Sequence, residues 1–260
     1  RMGHGEVKDH MFLDGLEDAF EKGTLMGTYA EATAKLYQFT REAQDEFALR
    51  SLKRAKIAID NGTFKKEIAS VTVKTRKGDT IVNTDEQPGN ALPAKIPTLR
   101  AAFAKDGSVT AANSSSISDG AAALILMRKS EAEKRKLSPL AIIHAHASHA
   151  QEPEWFTTAP IGAIKKVLNK ADWDKDDIDL YEINEAFAVV TMAAMHDLDL
   201  SPDKVNVHGG ACALGHPVGA SGARILVTLL NALEKYDMTK GVASLCIGGG
   251  EGTAIAVERI

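Results

Sequence analysis

The chain has 260 residues, a formal net charge of −4 at neutral pH, 44% hydrophobic and 25% charged residues. This is ordinary globular composition, enough for one or two domains at roughly 100–200 residues each. It excludes a disordered tail, a collagen-like fibre and a disulfide-stapled miniprotein. A sequence pI near 6.1 leaves no electrostatic footprint for nucleic acid or an anionic membrane. Two cysteines in a chain of this length speak for a reducing compartment. No apolar run approaches the roughly 20 residues that span a bilayer.

The chain opens Arg1-Met2-Gly3-His4-Gly5 and reads as a piece whose true N-terminus lies upstream. Residues 1–30 read as loop with one short helix. The clearest helix follows, from Thr40 to Asp60: Thr40 is a suitable cap, and Ala48, Leu52, Ala55 and Ile59 recur on one face. Asn61-Gly62 ends it. Val71 and Val73 alternate with polar residues, and Lys77-Gly78 turns the chain into Thr80-Ile81-Val82, a short hairpin. The prolines at 88, 93 and 97 make residues 83–98 irregular connection.

Past Ser116 the character changes. An apolar run, Ala121–Met127, precedes a charged helix through Lys136. Then strands (141–147, 180–183, 205–207, 241–247, 253–258) alternate with helices (161–168, 186–198, 220–233). That alternation predicts an α/β sandwich with a largely covered sheet.

Three segments stand at the ends of expected strands. Asn184-Glu185-Ala186-Phe187 follows a buried strand; Asn184 is either a helix N-cap or an amide that holds a water or a carbonyl oxygen. From Gly209 to Gly222, five of fourteen residues are glycine, with neither a Gly-Lys-Ser/Thr ending nor a dinucleotide fingerprint. His216, between Gly215 and Pro217, is exposed there either as a structural hydrogen-bonder or as a catalyst. Cys246-Ile247-Gly248-Gly249-Gly250 puts a thiol ahead of three glycines, where backbone N–H groups can converge on an anion and lower the thiol pKa. Cys246 and His216 suggest a thiol–imidazole pair. The residues leave open whether Cys246 attacks a substrate or hands it a proton, and Cys212 is the weaker thiol. His144-x-His146-x-x-His149 has metal-site spacing but reads as a polar strand edge, and the acidic run Asp172–Asp179 as a solvated segment.

In this order, Asn184-Glu185-Ala186-Phe187, Gly215-His216-Pro217 and Cys246-x-Gly248-Gly249-Gly250 resemble the signature motifs of the thiolase superfamily, with its acetyl-CoA acetyltransferase branch as the nearest match. Ala112–Ser115 followed by Asp119–Ala123 is similar to that family's coenzyme A segment. The resemblance implies a thiolase-like layered α/β sandwich with an inserted α+β loop domain. Residues 1–115 would be the coenzyme A-gripping loop domain, 116–140 the closing segment of an N-terminal domain absent from this chain, and 141–260 the C-terminal domain. It further implies interconversion of two acetyl-CoA with acetoacetyl-CoA plus CoA, the thioester being substrate and no separate cofactor or metal being needed. A thiolase for longer 3-ketoacyl-CoA chains and a non-catalytic coenzyme A-binding fragment are the alternatives.

Carried over by motif, His216 would deprotonate a nucleophilic cysteine outside these residues and help hold the thioester oxygen. Cys246 would be the acid/base at the acetyl-CoA methyl, Asn184 would position a water in one oxyanion hole, and the Gly248 N–H would serve the other. Met26, Leu99, Phe103, Ser115, Phe156, Ala186 and Phe187 would contact substrate. Leu25-Met26-Gly27 stands where many members have His-Met-Gly. The same resemblance implies a homodimer or homotetramer in the cytoplasm, with neither nucleic acid nor membrane as partner. The 260-residue chain alone is expected to form no acyl-enzyme.

Overall fold

The computed structural model describes residues 2–260. Helix α1 (Met26–Tyr37) begins inside the stretch expected to be mostly loop. Its buried face, Met26, Tyr29, Ala30, Thr33 and Ala34, has helical spacing. Beyond Met26 and Tyr29 that face is alanine and threonine, so its apolar signal is weak. Helix α2 (Arg41–Asp60) is as expected: Thr40 Oγ1 accepts from the Ala43 N–H at 3.1 Å, and Ala48, Leu52 and Ala55 are buried.

The hairpin forms from β1 (Val71–Thr75) and β2 (Gly78–Val82), paired Val71↔Val82 through Thr75↔Gly78 and solvent-exposed along both strands. The proline-rich connection is more ordered than expected: it holds α3 (Glu86–Asn90) and a 3-10 turn, Pro93–Thr98. Proline at the start of a turn has no N–H to lose there, which suits Pro93 to that position. The run Ala121–Met127 joins no sheet among the described residues, and Ile125 is 90% exposed. Helix α4 (Lys129–Lys134) follows.

The remaining elements are β3 (Ala141–Ala150), α5 (Ala159–Ala171), β4 (Leu180–Ile183), α6 (Ala188–Leu198), α7 (Ala211–Leu214), α8 (Ser221–Lys235), β5 (Lys240–Ile247) and β6 (Glu251–Arg259). They build a four-stranded sheet in the order β3-β6-β5-β4, with β4 parallel to β5 and the other neighbours antiparallel. Alternate residues face opposite sides of a strand. Tyr181, Ile183, Val242 and Ala254 therefore meet Ile164 and Val167 of α5 on one side. Leu180, Ala243 and Val257 meet Ile225, Leu229 and Leu233 of α8 on the other. The sheet is covered on both faces, as the strand–helix alternation predicts.

Two expectations change here. The strand expected at 205–207 reduces to a single bridge, Tyr181↔Val205. Asn206 adopts a left-handed conformation (φ 49°), and its side chain replaces the ladder: Oδ1 accepts the Ile183 N–H at 2.8 Å and Nδ2 donates to the Ile183 carbonyl at 2.8 Å. The helix expected from Ala186 starts at Ala188 with Phe187 in the cap position. Asn184 is therefore not a helix cap.

On β3, His144 Nε2 lies 2.6 Å from Glu258 Oε2 and its ring packs against Trp173, while His149 bonds Gln151. A bulge between Ile143 and Ala145 breaks the register that the histidine spacing assumes. No group of three metal-ligating side chains occurs among the described residues, and no helix there is long and apolar enough to cross a membrane.

Candidate active site

The carboxyl ends of parallel strands β4 and β5 lie side by side, and both site-bearing turns leave from there. Asn184 continues the pairing by donating its N–H to the Ser244 carbonyl at 2.9 Å, and its side chain is 1% exposed. The loop after α7 brings in His216, whose N–H donates to the Ser116 carbonyl at 3.1 Å. That bond, with the single bridge Ile117↔His216, ties the histidine to the extended segment 114–118.

The imidazole is fixed at both nitrogens. Nδ1 lies 2.5 Å from Ser221 Oγ, and that hydroxyl donates onward to the Pro217 carbonyl at 3.1 Å. Asn184 Nδ2 meets Nε2 at 3.3 Å. A hydroxyl that has already given its proton to a carbonyl can only accept from Nδ1. The neutral ring therefore carries its proton on Nδ1 and leaves Nε2 as the basic nitrogen. Asn184 Oδ1 is buried without a partner, an acceptor aimed into the site.

Burial lowers the His216 pKa to about 4, with the Arg224 guanidinium adding to the effect. Arg224 is itself held 3.5 Å from the buried Glu182 of β4. Burial raises that carboxyl to about 8, against the pull of Arg224. An NMR pH titration of the histidine-labelled chain should therefore show His216 neutral at pH 6 and charging only near pH 4; a midpoint close to the ordinary 6.5 contradicts this environment.

Cys246 sits on β5, is 6% exposed, and packs in one apolar cluster with Met26, Phe156, Ala186 and Phe187. Phe103 closes its edge, its ring 6.0 Å from that of Phe187. Ser115 supports the same turn, donating both its N–H and its hydroxyl to the Ala186 carbonyl at 3.0 and 2.9 Å. Of the seven expected contact residues, Leu99 alone stands outside this group; its carbonyl accepts from Arg41 at 2.9 Å. Gly248 follows Cys246 directly under Met26: a Cβ there would lie 2.7 Å from the Met26 sulfur.

The glycine turn does not lower the Cys246 pKa as the sequence suggests. Burial raises it to about 12, and only a backbone hydrogen bond opposes that. Nor do the two groups form a bonded thiol–imidazole pair, since both His216 nitrogens are engaged by Ser221 and Asn184. The turn from Asn184 to Phe187 connects them instead: one end touches the imidazole, the other packs against the thiol. Sequence reasoning missed Ser221, which shows only as a serine five residues after the histidine, at the first position of a helix. It also missed Glu185 and Arg224, whose contacts are all distant in sequence. Cys212 is half-buried beside the Glu185 carboxylate; desolvation raises its pKa and that carboxylate raises it further, so it is no ready nucleophile.

A layered α/β fold with a half-buried, neutral histidine at paired strand ends defines an enzyme-like site, and the comparisons give its family. The family model described as "Thiolase, N-terminal domain" matches residues 1–130, and that described as "Thiolase, C-terminal domain" matches residues 137–259. The chain belongs to the thiolase family. It is 49% identical over 262 residues to the acetyl-CoA acetyltransferase of Thiocystis violacea and 51% identical over 263 residues to the cytosolic acetyl-CoA acetyltransferase of Mus musculus. In both alignments it is covered completely and spans 66% of the relative. Among solved structures it matches Bacillus anthracis acetyl-CoA acetyltransferase (TM-score 0.95, 43% identity) and human mitochondrial 3-ketoacyl-CoA thiolase (TM-score 0.91, 34% identity). Each match covers all of this chain and 66% of the other.

Proposed function

We propose that the chain supplies the histidine, second cysteine and substrate pocket of an acetyl-CoA acetyltransferase, which interconverts two acetyl-CoA with acetoacetyl-CoA plus CoA. One observation carries this reading: a neutral His216, with Nε2 basic and held by Asn184, stands at the turn that leads into the apolar cluster around Cys246. Residues 1–115 would grip coenzyme A, 116–140 would close an adjoining domain, and 141–260 would carry the chemistry.

In thiolysis, His216 Nε2 takes the proton of the acyl-accepting cysteine, which attacks the 3-keto carbon of acetoacetyl-CoA. The C–C bond breaks, its electron pair passes to the carbon beside the thioester, and the Cys246 thiol protonates that carbon to release acetyl-CoA. The incoming CoA thiol then gives its proton to the Cys246 thiolate and attacks the acetylated cysteine. The displaced thiolate recovers its proton from His216, so the balance closes. A thiol that stays protonated suits Cys246 to the acid's part. Asn184 Oδ1 would accept one proton of a water whose other proton faces the thioester oxygen, and the Gly248 N–H would serve the second oxygen.

Assembly as a homodimer or homotetramer and a cytoplasmic location belong to the same reading; the second is supported by the name of the cytosolic mouse relative. In the complete enzyme, thiolysis of acetoacetyl-CoA should exceed that of a longer 3-ketoacyl-CoA in kcat/KM, because Phe156, Phe187 and Met26 pack closely around Cys246 and leave little room for a longer chain. A preference for the longer chain favours the 3-ketoacyl-CoA thiolase reading, and activity on neither favours a non-catalytic coenzyme A-binding fragment.

A further inference from the structure

The steps above make no use of Glu185, the buried neighbour of Asn184 in the chain. Its carboxylate is nevertheless bonded from three directions. Oε2 accepts from the Ser51 hydroxyl at 2.7 Å and from the Cys212 N–H at 3.1 Å, and Oε1 accepts from Asn206 Nδ2 at 2.9 Å. Each donor belongs to a different part of the molecule. Ser51 lies on α2, Cys212 on α7 just ahead of His216, and Asn206 is the residue that clamps Ile183 at the end of β4.

Ser51 closes the arrangement by accepting the Gly210 N–H at 2.9 Å. Only a glycine fits at 210, since a Cβ would lie 2.6 Å from Glu185 Oε1. One carboxylate thus joins the segment that carries Asn184 to the segment that carries His216, and both to α2.

We infer that Glu185 is a positioning residue for the Asn184–His216 pair: its carboxylate, pinned by Ser51 of α2, sets the distance between the turn after β4 and the loop after α7. The 3.3 Å contact of Asn184 Nδ2 with His216 Nε2 is then fixed by a side chain that touches none of the reacting atoms. The inference rests on the catalytic reading of His216 and Asn184.

Glutamine is nearly the same size but cannot do this work. The Cys212 N–H can only donate. The Asn206 amide cannot turn over, because its Oδ1 already accepts from Ile183 while Nδ2 serves the Ile183 carbonyl. A glutamine NH2 must therefore face one of these donors and push the segments apart. Displacing a catalytic group by about 1 Å costs on the order of 10²-fold in rate.

The test uses the complete enzyme with Glu185→Gln, Ser51→Ala and His216→Ala, measuring thiolysis kinetics per folded molecule, with the folded fraction taken from the calorimetric melting enthalpy. We expect kcat to fall about 30–100-fold in Glu185→Gln, with KM for acetoacetyl-CoA within about twofold of wild type. Ser51→Ala should fall about 3–10-fold with the same split, and it decides the matter should Glu185→Gln fail to fold. Loss of folded protein with unchanged kcat per folded molecule, or a raised KM at wild-type kcat, overturns the positioning role and leaves the proposed reaction standing. Near-normal activity in His216→Ala overturns that reaction, and the positioning role with it.

Discussion

Replacing His216 by alanine in the complete enzyme is expected to lower kcat for acetoacetyl-CoA thiolysis by about 10³–10⁴-fold. General-base catalysis contributes roughly 10²–10⁴ and an oxyanion donor roughly 10²–10³, and such contributions from one group do not simply multiply. The half-buried imidazole stands at the strand ends with Nδ1 on Ser221 and Nε2 on Asn184, and neither of those neighbours is a base that could take over. KM should change little, because the apolar cluster around Cys246 does not include the histidine. A loss smaller than about tenfold contradicts the role, since a positioned base is worth more than that.

Cys246→Ser should be as damaging to turnover, by about 10³-fold, but in a different way. A serine hydroxyl is a far weaker acid than a thiol, so carbon protonation in thiolysis and carbon deprotonation in condensation both fail. Transfer of an acetyl group from acetyl-CoA to the nucleophilic cysteine makes no carbanion, and the CoA thiolate that Cys246 otherwise protonates is a good enough leaving group to depart as the anion and take its proton from water. Cys246→Ser should therefore still release one equivalent of CoA in a burst and then stall, whereas His216→Ala should show no burst. Equal loss of burst and turnover in Cys246→Ser refutes the division of labour between the two residues.

Local chemistry was legible in the sequence wherever a local rule governs the structure. Thr40 caps α2 because its hydroxyl reaches the Ala43 N–H three residues on, and the hairpin turn forces the pairing of Val71 with Val82. The β/α alternation fixed the covered sheet in advance. Helix α1 was harder to see because alanine, glycine and threonine carry much of its buried face. The strand at 205–207 was overestimated because Asn206 spends its side chain where a ladder would have run.

At the site, the ordered motifs pointed to histidine, cysteine and asparagine segments that the fold brings to neighbouring positions, yet not to the contacts between them. The N-cap reading of Asn184 failed because α6 starts later, at Ala188, which frees the amide for His216. The supposed acidic shift of Cys246 failed because burial outweighs a single backbone hydrogen bond. Glu185 was invisible as a hub because Ser51 lies 134 residues away and Cys212 27 residues away. Composition and periodicity carry no record of contacts at that separation.

The most direct measurement is a crystal structure of the complete enzyme with a bound coenzyme A thioester. His216 Nε2 and Cys246 Sγ should flank the thioester group from opposite sides, with its carbonyl oxygen about 2.7–3.1 Å from a hydrogen-bond donor of the site. A thioester seated with either side chain facing away from it contradicts the account.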